Sequence, residues 1–97
     1  MAHRERLSHD DAEALAIDAL GFLAADESRL VPFLKATGLD LATIRKEAGS
    51  AEFLAGILDF LMSDETLLLV FASHKGFDPN LVAIARQALT PDGGEMG

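Results

Sequence analysis

Apolar residues recur at three-and-four spacing along most of the chain, and Ser, Asp or Gly interrupts them at intervals of about one short helix. Ser8 stands before a first helix whose apolar side is Leu15, Leu20, Phe22 and Leu23, with Asp10 and Asp11 complementing its dipole, and which runs to about Ala25. Asp26 or Ser28 opens a second helix, where Pro32 leaves the start open. Asp40 opens a third that ends at Gly49. Ser50 caps "AEFLAGILDFLM", in which Phe53, Leu54, Ile57, Leu58 and Leu61 form one broad apolar face. Ser63 or Asp64 opens "ETLLLVFASHK", whose consecutive Leu67 to Phe71 leave no polar side over a full turn and predict the central, most buried helix. Asp78 and Pro79 form an N-cap and N1 pair for a last helix through about Leu89.

These elements predict an all-α fold, a single-domain bundle of five or six short helices over residues 8–89. Flexible ends are expected at 1–7 and 90–97. Shifting the chain by 38 positions aligns Leu20 with Leu58, Phe22 with Phe60, Leu23 with Leu61, Asp26 with Asp64, Glu27 with Glu65, Leu30 with Leu68, Phe33 with Phe71, Gly38 with Gly76 and Asp40 with Asp78. The ordered matches at D-E, F and G-x-D favour two related three-helix units over a chance alignment of Leu-rich stretches. Gly38 and Gly76 are expected at positive φ, as Schellman caps with Leu39 and Phe77 supplying the apolar contact. Gly21 and Gly56 fall inside helices, where each costs roughly 1 kcal/mol against Ala. Either a close crossing of the first and fourth helices or a tolerated cost accounts for them.

Composition narrows the functions. The chain has 97 residues and no Cys, which excludes disulfides, thiolate chemistry and cysteine metal sites. Sixteen acidic residues against eight Lys and Arg give a net charge of -8, a field that repels phosphate backbones. The longest apolar run, "LLLVFA", is far short of a membrane span, and the polar start "MAHRERLSHDD" does not read as a secretion signal, so the cytoplasm is expected.

Two corners have helix-turn-helix spacing: Leu34, Gly38, Leu39 and Ile44, then Ala72, Gly76, Phe77 and Val82. Base reading also needs basic and polar side chains on the second helix. Asp40, Arg45, Lys46 and Glu47 cancel, and only Asp78 and Arg86 are charged from 78 to 89, so nucleic acid is not the expected partner. His74 and Lys75 suit the carbonyl end of the fifth helix. His9 with Asp10, Asp11 and Glu13 makes a crude metal-like cluster but fits a first helical turn, and no H-x-x-x-H pair orients ligands, so no metal or cofactor is expected. His3 stands alone.

Carboxylate pairs for acid-base work would be Asp18 with Asp11, or Asp59 with Asp64 and Glu65; Asp59, set between apolar residues, is the least ordinary. Ser28, Ser50 and Ser63 read as capping residues, there is no G-x-S-x-G elbow, and "DGGE" follows no strand, so no catalytic residue is assigned.

The segments "ALGFLAAD", "FLKATGLD", "FLAGILDFLMSDE" and "LLLVFASHKGFDP" resemble a family of short alpha-proteobacterial proteins, domain-of-unknown-function family 3572. The likeness spans roughly positions 10 to 88 and is most specific in "FLAGILDFL" and "GFDP". It implies a small bacterial cytoplasmic protein and carries over no activity or functional residue. The expected function is a non-enzymatic interaction or regulatory protein that presents a helical surface to a protein partner or a second copy. The alternatives are a helix-turn-helix-like DNA-binding protein and a small enzyme using helix-borne carboxylates.

Overall fold

Six Ser or Asp side chains start six helices. In the computed structural model, which describes residues 7–90, the helices are α1 (His9–Ala24), α2 (Glu27–Thr37), α3 (Leu41–Glu47), α4 (Ala51–Met62), α5 (Glu65–Lys75) and α6 (Asn80–Leu89). The N–H groups of Asp11, Ser28, Thr43, Phe53, Leu67 and Asn80 donate to the side chains of Ser8, Asp26, Asp40, Ser50, Asp64 and Asp78 respectively. Each bond satisfies a donor that a helix start would otherwise leave open. The expected Asp78 and Pro79 start is corrected by one residue: Pro79, in right-handed helical conformation, stands at the N-cap of α6, and Asp78 accepts the Asn80 N–H from just before it.

Three corrections concern the serines and Pro32. Ser28 lies within α2, where its hydroxyl donates to Asp26, and Ser63 follows α4, where its hydroxyl donates to the Phe60 carbonyl at 2.7 Å. Only Ser50 of the three is an N-cap. Pro32 sits inside α2 without ending it. The carbonyl that loses its partner belongs to exposed Ser28, where water can replace the missing N–H.

The core forms where α1, α4 and α6 meet, with α2 against α1 and α5 against α4. α1 contributes Ala12, Leu15, Ala16, Ala19, Phe22 and Leu23, and α4 contributes Leu54, Ala55, Ile57, Leu58 and Leu61. α6 adds Val82, Ala85 and Leu89 at helical spacing. The most buried helices are therefore α1 and α4, packed with α6, and not α5. The apolar run of α5 is wider than one buried face: Phe71 and Ala72 are inside, while Leu69 and Val70 are 48% and 47% exposed. Ala12, Ala16 and Ala19 of α1 and Ala85 of α6 are buried, and such small side chains let the two helices approach closely.

Phe22 meets Phe71 with ring centroids 5.2 Å apart, and Phe60 meets Phe33 at 5.0 Å. Phe22 and Phe60 are repeat equivalents, as are Phe33 and Phe71. Each unit thus stacks its first-helix ring on the second-helix ring of the other, the reciprocal contact that a two-fold relation produces. The two three-helix units close on each other as one bundle with a Cα radius of gyration of 13.2 Å, against about 13 Å expected for this length.

The flexible ends expected at 1–7 and 90–97 fall mostly outside the described residues. Of the two positions inside, Leu7 packs against the core and Thr90 accepts from Arg86. No helix among the described residues is long and apolar enough to cross a membrane.

Candidate functional site

Gly38 and Gly76 have φ of 75° and 77°, in the left-handed region that favours Gly, so both corners turn as expected. Gly76 completes a Schellman motif: Phe77 N–H donates to the Ala72 carbonyl at 3.0 Å and Gly76 N–H reaches Ser73. Gly38 makes the simpler left-handed cap through one bond to Leu34, and Leu39 N–H turns instead to the Thr37 hydroxyl at 3.3 Å. The Schellman expectation therefore holds at Gly76 and is corrected at Gly38. Thr37 supplies a local acceptor where the other corner has Lys75.

Each corner sets the direction of the helix that follows it. In α6 the exposed positions are Asn80, Ala83 and Gln87, none of them charged, while Val82, Ala85 and Leu89 are inside. In α3 the exposed residues include Leu41, Arg45 and Lys46, with Ile44 buried.

The carboxylates singled out in the sequence are dispersed into structural roles. Asp59 accepts from Arg86 Nε at 2.8 Å, tying α4 to α6. Asp18 pairs with Lys75 at 3.5 Å, tying α1 to α5. Asp64 caps α5, and Glu65 lies in its first turn. Asp26 and Asp40 are held below the ordinary carboxylate range by the N–H groups of Ser28 and Thr43, which favour the ionised form. His9, Asp10 and Glu13 do come together, with ligand atoms within 4.8 Å of one another on the first turn of α1. Asp11 is not in that group; its backbone N–H serves the Ser8 cap. His74 has its ring centroid 6.0 Å from that of Phe22, and the Arg29 guanidinium lies 4.0 Å from the same ring's centroid.

Of the two readings of Gly21 and Gly56, the close crossing is contradicted and the tolerated cost stands. Both are exposed, and a Cβ built on either meets nothing within 4 Å. The repeat supplies the meaning. Thirty-eight positions on from Gly21 and Ala48 are Asp59 and Arg86, the pair that ties α4 to α6. Thirty-eight positions from Thr37 and Gly56 are Lys75 and Asp18, the pair that ties α5 to α1. Each interior glycine thus stands where the other unit holds an ion-paired Asp.

Grooves open at both places. One, of about 260 Å³, is lined by Phe33, Thr37, Leu39, Phe53, Gly56 and others. The larger, about 390 Å³, lies between α1, α2 and α3, with Ile17, Gly21, Leu41, Ile44, Arg45 and Ala48 among its walls. Ile17 and Leu41 are 49% and 51% exposed, and Arg45 is the one charged residue in the lining. A third depression, over Leu69 and Val70, is lined by α5 alone and is the flank of one helix. The α1–α2–α3 groove was not anticipated in the sequence, since it appears only when Gly21 and Ala48 are set against Asp59 and Arg86.

No curated protein and no solved structure matches this chain. A family profile described as protein of unknown function (DUF3572) matches residues 9–92, most of the chain, and together with the all-α fold it establishes that the chain belongs to the DUF3572 family.

Proposed function

We propose that this is a non-enzymatic interaction protein whose working surface is the groove between α1, α2 and α3. The observation that carries the reading is the replacement of an interhelical ion pair by Gly21 and Ala48, which leaves apolar walls open in one unit at the place the other unit closes. The lining is apolar apart from Arg45, whereas a catalytic cleft brings several polar groups to one point. Grooves of this composition suit the apolar face of a helix, with anchors three and four residues apart. The net charge of -8 and the uncharged exposed positions of α6 weigh against a nucleic-acid partner. The reading places the protein in the cytoplasm, since a Cys-free helical bundle draws nothing from an oxidising compartment.

The test is affinity purification from the native organism at endogenous expression, comparing the wild type with Gly21→Met. Methionine is a good helix former and its Cβ meets nothing within 4 Å at that exposed position, so the variant is expected to keep its fold while the rest of its side chain enters the groove. The expected result is a reproducible protein partner lost in the variant. A partner retained undiminished by Gly21→Met would overturn the assignment of the groove.

A further inference from the structure

The groove's charged surroundings, Arg45 in its α3 wall and Asp10 and Glu13 beyond its α1 end, specify the polarity of its occupant, with the cationic end away from Arg45. Resting on the reading above, we infer that the partner segment is a basic amphipathic helix: two large apolar anchors seat between Ile17 and Leu41, and a Lys or Arg beyond them meets Asp10 and Glu13. α1 lines the groove from Ile17 to Ala24, a run of about 10 Å at the rise of an α-helix, so the groove follows α1 for about two turns. The same stripe continues toward the N-terminus through Glu13 and Asp10, four and seven residues before Ile17. Their carboxylates lie within 4.8 Å of each other, with His9 beside them, and among the described residues neither pairs with a Lys or Arg.

All four ionisable residues of α1 other than His9 are acidic: Asp10, Asp11, Glu13 and Asp18. Asp18 is already paired with Lys75 and Asp11 lies off the stripe, which leaves Asp10 and Glu13 as the anionic end of the apolar track. A cationic side chain about one to two turns from the apolar anchors matches that geometry on a helix lying along α1. A second copy of this chain matches it poorly. Each copy carries a net charge of -8, and the exposed Leu69 and Val70 flank of α5 begins at Asp64 and Glu65.

The experiment selects peptides from a displayed library of helical sequences of about 18 residues, long enough to sustain a helix, on three full-length proteins. These are the wild type, the charge-reversed Asp10→Lys/Glu13→Lys protein and Gly21→Met, each checked for native helicity by circular dichroism. The wild type is expected to enrich peptides with paired apolar anchors and Lys or Arg one to two turns away. The reversed protein is expected to keep the anchors and exchange the bases for Asp or Glu. Gly21→Met is expected to weaken the selected peptides by about tenfold or more. Peptides that keep the same charges on both the wild type and the reversed protein would overturn the basic partner while leaving the groove assignment intact. Selection of no Gly21-sensitive peptide would overturn both. A dimer in sedimentation that Gly21→Met converts to monomer would overturn the inference in favour of a second copy.

Discussion

α2 and α5 begin and end at positions 38 apart, share an Asp N-cap and a left-handed Gly, and yet are closed over in different ways. In the second unit, α6 runs ten residues and wedges between α1 and α4, where Arg86 reaches Asp59. In the first unit, α3 runs seven residues, buries Ile44 alone, and stops because Ser50 must already cap α4. The chain has no room there for the last turn that makes α6 a core helix. The position equivalent to Ile17 is Ala55, fully inside, while Ile17 is half-exposed. A repeated local sequence therefore gives repeated helices and caps, while the shorter third helix and the absent ion pair at Gly21 and Ala48 together distinguish the grooved unit from the sealed one.

Even the end of the first helix of each unit is finished by different chemistry. The carbonyls of Phe22 and Phe60 hold equivalent places in the last turns of α1 and α4, and the Phe60 carbonyl also accepts the Ser63 backbone N–H at 3.2 Å. Arg29 Nε donates to Phe22 at 2.9 Å and its guanidinium covers the ring, whereas Ser63 donates to Phe60. The reciprocal ring pairs hold the units together despite these differences.

The largest test of that shared framework is removal of the rings. Phe33→Ala and Phe71→Ala are each expected to lose about 3–5 kcal/mol in urea denaturation, through lost transfer energy and the cavity left behind. Phe71→Ala should be the worse of the two, because Phe71 also packs on Phe77 at 5.4 Å. Equal, small losses would dissolve the claim that these rings join the units. Next come the corners: Gly38→Ala and Gly76→Ala each force a Cβ into left-handed backbone and should lose about 1–2 kcal/mol by the same assay.

Gly21→Ala and Gly56→Ala should go the other way. Each sits in ordinary helical backbone with open space around it, so a gain of about 0.5–1 kcal/mol in thermal or urea unfolding is expected. Transplanting the missing pair, as Gly21→Asp with Ala48→Arg, sharpens the comparison. Its coupling in a double-mutant cycle is expected at about 0.2–1 kcal/mol, the range of an exposed ion pair, and it should fade in high salt.

The smallest effect is in acid. Asp26 and Asp40 carry lowered folded-state values, so their stabilisation is present above the unfolded Asp value of about 4 and is lost as pH falls through the folded ones. Asp26→Asn and Asp40→Asn should each flatten the stability profile below about pH 4 and leave the slope near neutrality unchanged.

Helix starts were the most legible part of the fold because a Ser or Asp side chain satisfies a specific open N–H, a local requirement visible at Ser8, Asp40, Ser50 and Asp78 alike. The left-handed glycines were legible for the same reason. The burial of α5 was not legible because five consecutive apolar residues cannot all face one neighbour, and the sequence does not say that α6, through Val82, Ala85 and Leu89, will pack against α1 and α4 instead. The groove was less legible still. Gly21 gains its meaning from Asp59 and Arg86, residues distant along the chain whose contact appears only in three dimensions.

The central claim, that the sealed unit and the grooved unit differ in what they bind, is tested most directly by photo-crosslinking in the native cell. A photoreactive residue is placed in turn at Ile17 and Leu41 in the grooved unit and at Leu69 and Val70 on α5. The four positions are nearly equal in exposure, at 49%, 51%, 48% and 47%. The account predicts crosslinks from Ile17 and Leu41 to one shared protein, absent in Gly21→Met and absent from Leu69 and Val70. Crosslinks of equal yield and identity at all four positions, or none at Ile17 and Leu41, would contradict it.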